Sequence, residues 1–174
     1  ALSNQGDKCY GIDVFDKQEL NLDHSGVEDS QNLNSIWKNI KEKFFSNLQR
    51  YSIDKNHIVL NTKLSLDIKP NDIIESVGPA RFFHIDGGHN FDVVKNDLAL
   101  ANEVISKDGI IALDDIYRSQ WPDVSAGLFS YLFSSKPDLV PFAIGFNKLY
   151  LCKSGKKDFY QSALLNDDFL RIFF

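Results

Sequence analysis

Phe82-Phe83-His84-Ile85-Asp86-Gly87-Gly88-His89 and Gly109-Ile110-Ile111-Ala112-Leu113-Asp114-Asp115 are two apolar runs that end abruptly in carboxylate. Between them, Phe91, Val94, Leu98, Ala101 and Ile105 recur at helical spacing, which predicts an amphipathic helix over Asn90 to Ile105. If the two runs are parallel strands joined by this helix, their carboxyl ends are neighbours in one sheet. Adjacent strands lie about 4.8 Å apart, so Asp86 is expected close to Asp114 and Asp115. Three carboxylates and a histidine at such an edge have the chemistry to hold a divalent cation, orient a substrate or take a proton.

The flanking sequence extends the alternation. Lys8 to Val14 reads as a buried strand ending near Asp13, and the polar stretch from Asp16 to Ser30 is long enough to be a functional loop or lid. Leu33, Ile36, Trp37, Ile40, Phe44 and Leu48 predict a helix over Gln31 to Tyr51, with Ser30 as its N-cap. A strand over His57 to Thr62 and a short helix over Pro70 to Val77 follow, the latter closed by Gly78-Pro79. Downstream of the helix after Asp86, Lys107-Asp108-Gly109 reads as its exit and a turn. Trp121-Pro122-Asp123 opens another helix, with Val124, Leu128, Tyr131 and Leu132 inward. Leu139 to Phe146 and Lys148 to Lys153 read as an antiparallel hairpin, and an aromatic-rich helix, about Lys157 to Phe173, closes the chain. Strand and helix in alternation imply an α/β fold, a mostly parallel sheet covered by helices on both faces and finished by an antiparallel hairpin. Such sheets bind ligands outside the carboxyl ends of their strands.

At 174 residues, 43% of them hydrophobic, the chain is expected to form a single domain over 1–174 with a real core. A net charge of −5 argues against a nucleic-acid partner, which needs a basic face. No apolar run approaches the roughly 18 residues of a membrane span. Cys9 and Cys152 both sit in strand-like apolar runs and read as two buried free thiols in a reducing compartment, hence a cytoplasmic protein. The chain opens at Ala1 and contains no Met, so it reads as a segment of a longer polypeptide.

Several positions carry candidate chemistry. Asp13, after Tyr10-Gly11-Ile12, is placed either to bind ribose hydroxyls or to cap a turn. Asp86 is followed by two glycines, which permit a tight turn and close approach of backbone to a ligand. His89 has the chemistry of a metal ligand or general base near neutral pH, with a helix-capping role as the alternative. His84, inside the strand, reads as a packed core histidine. Asp114 and Asp115 repel one another and so favour a cation or a proton between them; oxygen ligands of this kind suit Mg²⁺, Ca²⁺ or Mn²⁺. Their alternative is that one caps a helix or binds Arg118 while the other is solvated. Arg118, Trp121 and Lys148 are candidates for a substrate pocket, with surface or packing roles as the alternative.

Phe83-His84-Ile85-Asp86-Gly87-Gly88-His89, then Asp92 and Asp97 on a helix, then Asp108 to Asp115, resemble class I S-adenosylmethionine-dependent methyltransferases. The closest likeness is to the group with an Ile-Asp-Gly-x-His strand end, which includes small-molecule and sugar O-methyltransferases. Trp121-Pro122-Asp123-Val124 and the hairpin from Phe142 to Leu151 share it, so the resemblance covers roughly Lys8 to Lys153. It implies a Rossmann-like three-layer sandwich with strand order 3-2-1-4-5-7-6, strand 7 antiparallel. It implies S-adenosylmethionine as cofactor, bound by Asp13 with Gly11 beside it and by Asp86. It implies Mg²⁺ or another divalent cation on Asp86, Asp114 and Asp115, and His89 with Asp86 as catalytic residues acting on a small-molecule or sugar hydroxyl. Strand 1 and the family's glycine-rich loop, which cradles the methionine part of the cofactor, are missing from the sequence, as expected of an N-terminally truncated segment. Two other readings use the same residues: a metal-dependent hydrolase, in which the acids and His89 activate water, and a non-catalytic α/β module whose acids only cap helices. The methyl acceptor is not encoded legibly, and the aromatic residues Phe159, Phe169, Phe173 and Phe174 suit either a sheet edge or a partner, leaving an oligomer open.

Overall fold

The computed structural model describes residues 6–17, 20–21, 23 and 39–167. The expected lid over Asp16 to Ser30 falls largely outside the described residues. So do the Ser30 cap, the first part of the helix from Gln31, and Phe169, Phe173 and Phe174. Two compact units are distinguishable, Ala1–Gly78 and Pro79–Phe174.

The first unit holds β1 (Cys9–Ile12) paired parallel with β2 (Ile58–Asn61), with Gly11 opposite Leu60. A Cβ on Gly11 would stand 3.0 Å from Leu60 Cδ1, so this glycine serves strand packing. Helix α1 (Ile40–Arg50) and helix α2 (Pro70–Val77) complete the unit. Proline opens α2 because its missing N–H is one that a first turn cannot bond anyway, and Asp72 Oδ2 accepts the Lys69 N–H at 2.9 Å. Phe15, Leu48, Ile68 and Ile73 are the buried apolar residues here, and the Phe15 and Phe44 rings meet edge-on at 5.9 Å.

The second unit carries the two carboxylate-ended strands as β3 (Ala80–Ile85) and β4 (Ile105–Leu113), joined by α3 (Phe91–Val104). They pair in parallel, Ile85 opposite Leu113. Helix α4 (Pro122–Ser134) follows, then β5 (Val140–Gly145), β6 (Lys148–Cys152) and α5 (Lys157–Leu165). The sheet order is β3-β4-β6-β5, with β6 antiparallel to both of its neighbours. Together with the β1-β2 pair, this is the expected order 3-2 and 4-5-7-6. The fold class is the Rossmann-like α/β one.

The predicted inner faces are the buried ones. Val94, Leu98 and Ala101 of α3 pack with Val124, Leu128 and Tyr131 of α4 against Ile111, Leu113 and Leu151 of the sheet. Gly127 allows α4 to approach α3, since a Cβ there would lie 2.9 Å from the Phe91 carbonyl oxygen. Lys107-Asp108-Gly109 is not a turn. The chain passes from α3 directly into β4, and the register jumps so that Ala80 faces Ile105 while Phe82 faces Ile110. The extra residues form a bulge, held from outside by α5 and the turn before it: Tyr160 Oη donates to the Asp108 carbonyl at 2.6 Å and Lys156 Nζ pairs with Asp108 Oδ1 at 2.5 Å. A Cβ on Gly109 would stand 2.5 Å from Ile105 Cγ1 and 2.9 Å from the Ala80 carbonyl oxygen. Gly109→Ala is therefore expected to destabilise the fold by about 1–3 kcal/mol, as overpacking does, read as a lower denaturant midpoint at unchanged m-value. No helix among the described residues is long and apolar enough to cross a membrane. Cys152 is buried as expected; Cys9, at the start of a two-stranded sheet, is exposed.

Candidate active site

Asp86, Asp114 and Asp115 sit where the strands β3 and β4 of the second unit give out. β4 is paired on both sides, and Ile111, Ala112 and Leu113 are each no more than 1% exposed. Apolar side chains must continue until the strand leaves the sheet; Asp114 is the first position free of that demand. Its N–H donates to the Ile85 carbonyl at 2.9 Å, which fixes the end of β4 against the end of β3. Asp115 then turns the chain with a left-handed φ of 57°. Gly87 and Gly88 do not adopt left-handed φ, so the special turn lies in the Asp pair and not in the glycines.

His84, Asp86 and Asp114 each offer one ligand atom, and these atoms all lie within 4.8 Å of one another. Asp86 and Asp114 are thus brought together as the strand argument requires. His84 joins them because β3 alternates, placing Phe83 and Ile85 on the core side and Phe82 and His84 on the other. It is exposed, not packed in the core. The Lys148 ammonium, from the first residue of β6, is hydrogen-bonded to Asp114 Oδ2 and lies 3.3 Å from His84 Nε2.

Asp115 belongs to a second cluster. Its Oδ2 is 2.9 Å from His89 Nε2, and its Oδ1 accepts from Arg118 Nε at 3.1 Å and from Asn147 Nδ2 at 2.5 Å. The alternative in which an acid of the pair binds Arg118 is therefore realised, together with the His89 contact. His89 does not cap the following helix: Asn90 does, accepting the Asp92 N–H at 3.0 Å. The imidazole of His89 also stacks on the Trp121 indole, centroids 4.2 Å apart and planes 11° apart. A ring braced on one edge by a carboxylate and on one face by an indole has a fixed orientation. When Nε2–H is donated to a carboxylate, the neutral ring carries its basic lone pair on Nδ1.

Asn147 was legible only as a hairpin-turn residue. Besides its bond to Asp115, its Oδ1 accepts the Tyr117 N–H at 3.3 Å and its carbonyl accepts the Ile116 N–H at 3.2 Å. It clasps the β5–β6 turn to the loop after β4. Spacing could not show this, because the hairpin returns to β4 over more than thirty residues. Asp13, in the first unit, is exposed at the end of β1; its Oδ1 accepts the Phe15 N–H at 2.6 Å.

The electrostatics of the Lys148–Asp114 pair have a definite sign. Burial alone would raise the Asp114 carboxyl, but hydrogen bonds from Lys148 and the Asp115 N–H, with the nearby positive charge, hold it below the ordinary carboxylate range. The hydrogen bond to Asp114 raises the Lys148 ammonium, burial opposes, and the charges of Asp114 and Asp86 add to the rise. A depressed acid contributes stability above its unfolded value, about 3.9, that is lost as pH falls through the folded value. A raised lysine contributes below about 10.4 and loses that contribution as pH rises through its folded value. The melting-temperature gap between wild type and Lys148→Met is accordingly expected to be flat from about pH 5 to 9 and to shrink below about pH 4.

A sheet of this order is that of the class I methyltransferase fold. The chain belongs to the methyltransferase-domain family, whose model matches residues 1–116, a span that includes Asp13, Asp86, His89, Asp114 and Asp115. No curated protein matches it. Among solved structures, the O-methyltransferase NovP is similar with a TM-score of 0.63 at 12% identity, over 84% of this chain and 60% of that one. The apo structure of CalS11, a TDP-rhamnose 3'-O-methyltransferase of calicheamicin biosynthesis, gives a TM-score of 0.49 at 15% identity, over 83% and 58%. A putative rRNA methylase from Clostridium thermocellum gives 0.48 at 10% identity, over 83% and 86%. The likeness to NovP is one of fold, and the chain spans 60% and 58% of the lengths of the NovP and CalS11 chains.

Proposed function

We propose that this chain, over 1–174, belongs to the catalytic domain of an S-adenosylmethionine-dependent O-methyltransferase acting on a small-molecule or sugar hydroxyl, and lacks that domain's first strand and glycine-rich loop. The observation that carries the reading is the His89 imidazole held by Asp115 and Trp121 beside Asp86 and Asp114, in a chain of the methyltransferase family. S-adenosylmethionine supplies an electrophilic methyl group. Asp13 fits its ribose: it is an exposed strand-end carboxylate with one oxygen fixed by the Phe15 N–H, and vicinal hydroxyls donate well to such a group.

His89 takes the acceptor's hydroxyl proton as the oxygen bonds to the methyl carbon. The electron pair of the broken C–S bond stays on sulfur, leaving S-adenosylhomocysteine. Asp115 stabilises the imidazolium that forms, and Trp121 keeps the ring in place. Asp86 orients the acceptor hydroxyl by accepting a hydrogen bond. The expected three-acid cation set is divided in this geometry: Asp115 is engaged by His89, Arg118 and Asn147, and Asp114 by Lys148. A divalent ion does not fit that donor set while these contacts stand, and no step is assigned to one. The two free thiols, Cys9 and Cys152, are consistent with a cytoplasmic enzyme.

The test is an assay of the intact protein with methyl-labelled S-adenosylmethionine and a panel of sugar and phenolic acceptors. Label in an ether product, lost on His89→Ala, is the expected result. Label on nitrogen or carbon, or transfer indifferent to His89, would overturn the reading.

A further inference from the structure

The place a cation would take among the strand-end ligands already has an occupant. His84, Asp86 and Asp114 direct ligand atoms into one region no more than 4.8 Å across. Oxygen-rich sets of those dimensions suit divalent ions. The Lys148 ammonium enters the same region. It is hydrogen-bonded to Asp114 Oδ2, stands 3.3 Å from His84 Nε2, and lies within the electrostatic reach of Asp86. Its backbone position is not adjustable, because Lys148 pairs with Gly145 at the mouth of a two-residue hairpin whose Asn147 is clasped to Asp115. A divalent ion placed among these ligands would meet an ammonium at contact distance and would be repelled with twice the force of a unit charge. The second possible destination, Asp115, is covered by Arg118, whose charge acts in the same direction.

We propose that Lys148 is the resident cation of the His84–Asp86–Asp114 cluster and performs the electrostatic role that a divalent metal would otherwise fill. This rests on the methyl-transfer reading. As His89 withdraws the acceptor proton and the oxygen–carbon bond forms, the ammonium faces the oxygen on which negative charge develops. Lys148 keeps its own proton throughout. Fixed positive charge aimed at a developing oxyanion is among the strongest sources of catalysis. Methyl transfer by this chain is then independent of divalent cations. Removing the ammonium leaves two carboxylates and an imidazole without their counter-charge, a set that accepts a metal.

The intact protein and its Lys148→Met and Lys148→Gln variants, each verified as folded by its melting transition, are titrated with Mn²⁺ alone and bound metal is read by electron paramagnetic resonance. Expected is one Mn²⁺ per chain in a variant, bound at least about tenfold more tightly than by wild type, with wild-type turnover unchanged by EDTA. Equal Mn²⁺ binding by wild type and both variants, or none by any of them, overturns the proposal. Binding of S-adenosylhomocysteine, measured on the same samples, separates this outcome from failure of the methyl-transfer reading: the Mn²⁺ comparison needs neither cofactor nor acceptor.

Discussion

His89→Ala is expected to lower turnover of the intact protein by about 10²–10⁴-fold, the range associated with a positioned general acid–base group. S-adenosylhomocysteine affinity should stay unchanged. The imidazole is in contact with Asp115 Oδ2 at 2.9 Å and with the Trp121 ring at 4.2 Å, and its side chain is 21% exposed. It is therefore oriented without being a core element, and its loss should move the melting temperature little. A variant that loses affinity for S-adenosylhomocysteine in proportion to turnover would place His89 on the cofactor instead.

Asp115→Asn is the second large effect. Asp115 adopts φ 57°, a region that costs most residues energy and that asparagine tolerates well. The turn should survive, and so should the contact from Arg118 in weakened form. What changes is the group facing His89 Nε2. An amide cannot stabilise the imidazolium as a carboxylate does, and its NH₂ can trap the wrong tautomer by donating to Nε2. Turnover is expected to fall by about 10²–10⁴-fold with a melting temperature near that of wild type. Asp115→Ala should add a stability loss, because it also leaves Asn147 Nδ2 with only its 3.5 Å contact to Asp114 Oδ1 and puts a Cβ-only residue in a left-handed turn. Comparing the two variants separates the carboxylate's chemical role from its structural one.

The fold is legible in the sequence where hydrophobic period and strand-end chemistry coincide. The crossover from β3 through α3 to β4 needed only the 3.6-residue spacing of Val94, Leu98 and Ala101 and two apolar runs, and it brought Asp86 beside Asp114. The hairpin from Val140 to Cys152 was legible from its two apolar runs and the residues between them. The bulge at Lys107-Asp108-Gly109 was not: Asp and Gly after an apolar helix mark a turn in any local reading, and what makes a bulge of them is the docking of Tyr160 from α5 and of Lys156 just before it. The outward placement of His84 is hidden for a similar reason. A histidine within an apolar run suggests core, but β3 alternates and turns it toward Lys148. The division of the acid pair was equally invisible. Adjacent carboxylates look like one site in sequence; a left-handed residue between β4 and the next loop sends Asp114 and Asp115 to different partners.

Calorimetric titration of the intact protein with S-adenosylhomocysteine tests S-adenosyl-dependent methyl transfer most directly. One S-adenosylhomocysteine per chain is expected, with affinity weakened about 10–100-fold in Asp13→Ala through loss of charge-assisted hydrogen bonds to the ribose. No binding by the folded intact protein would contradict it.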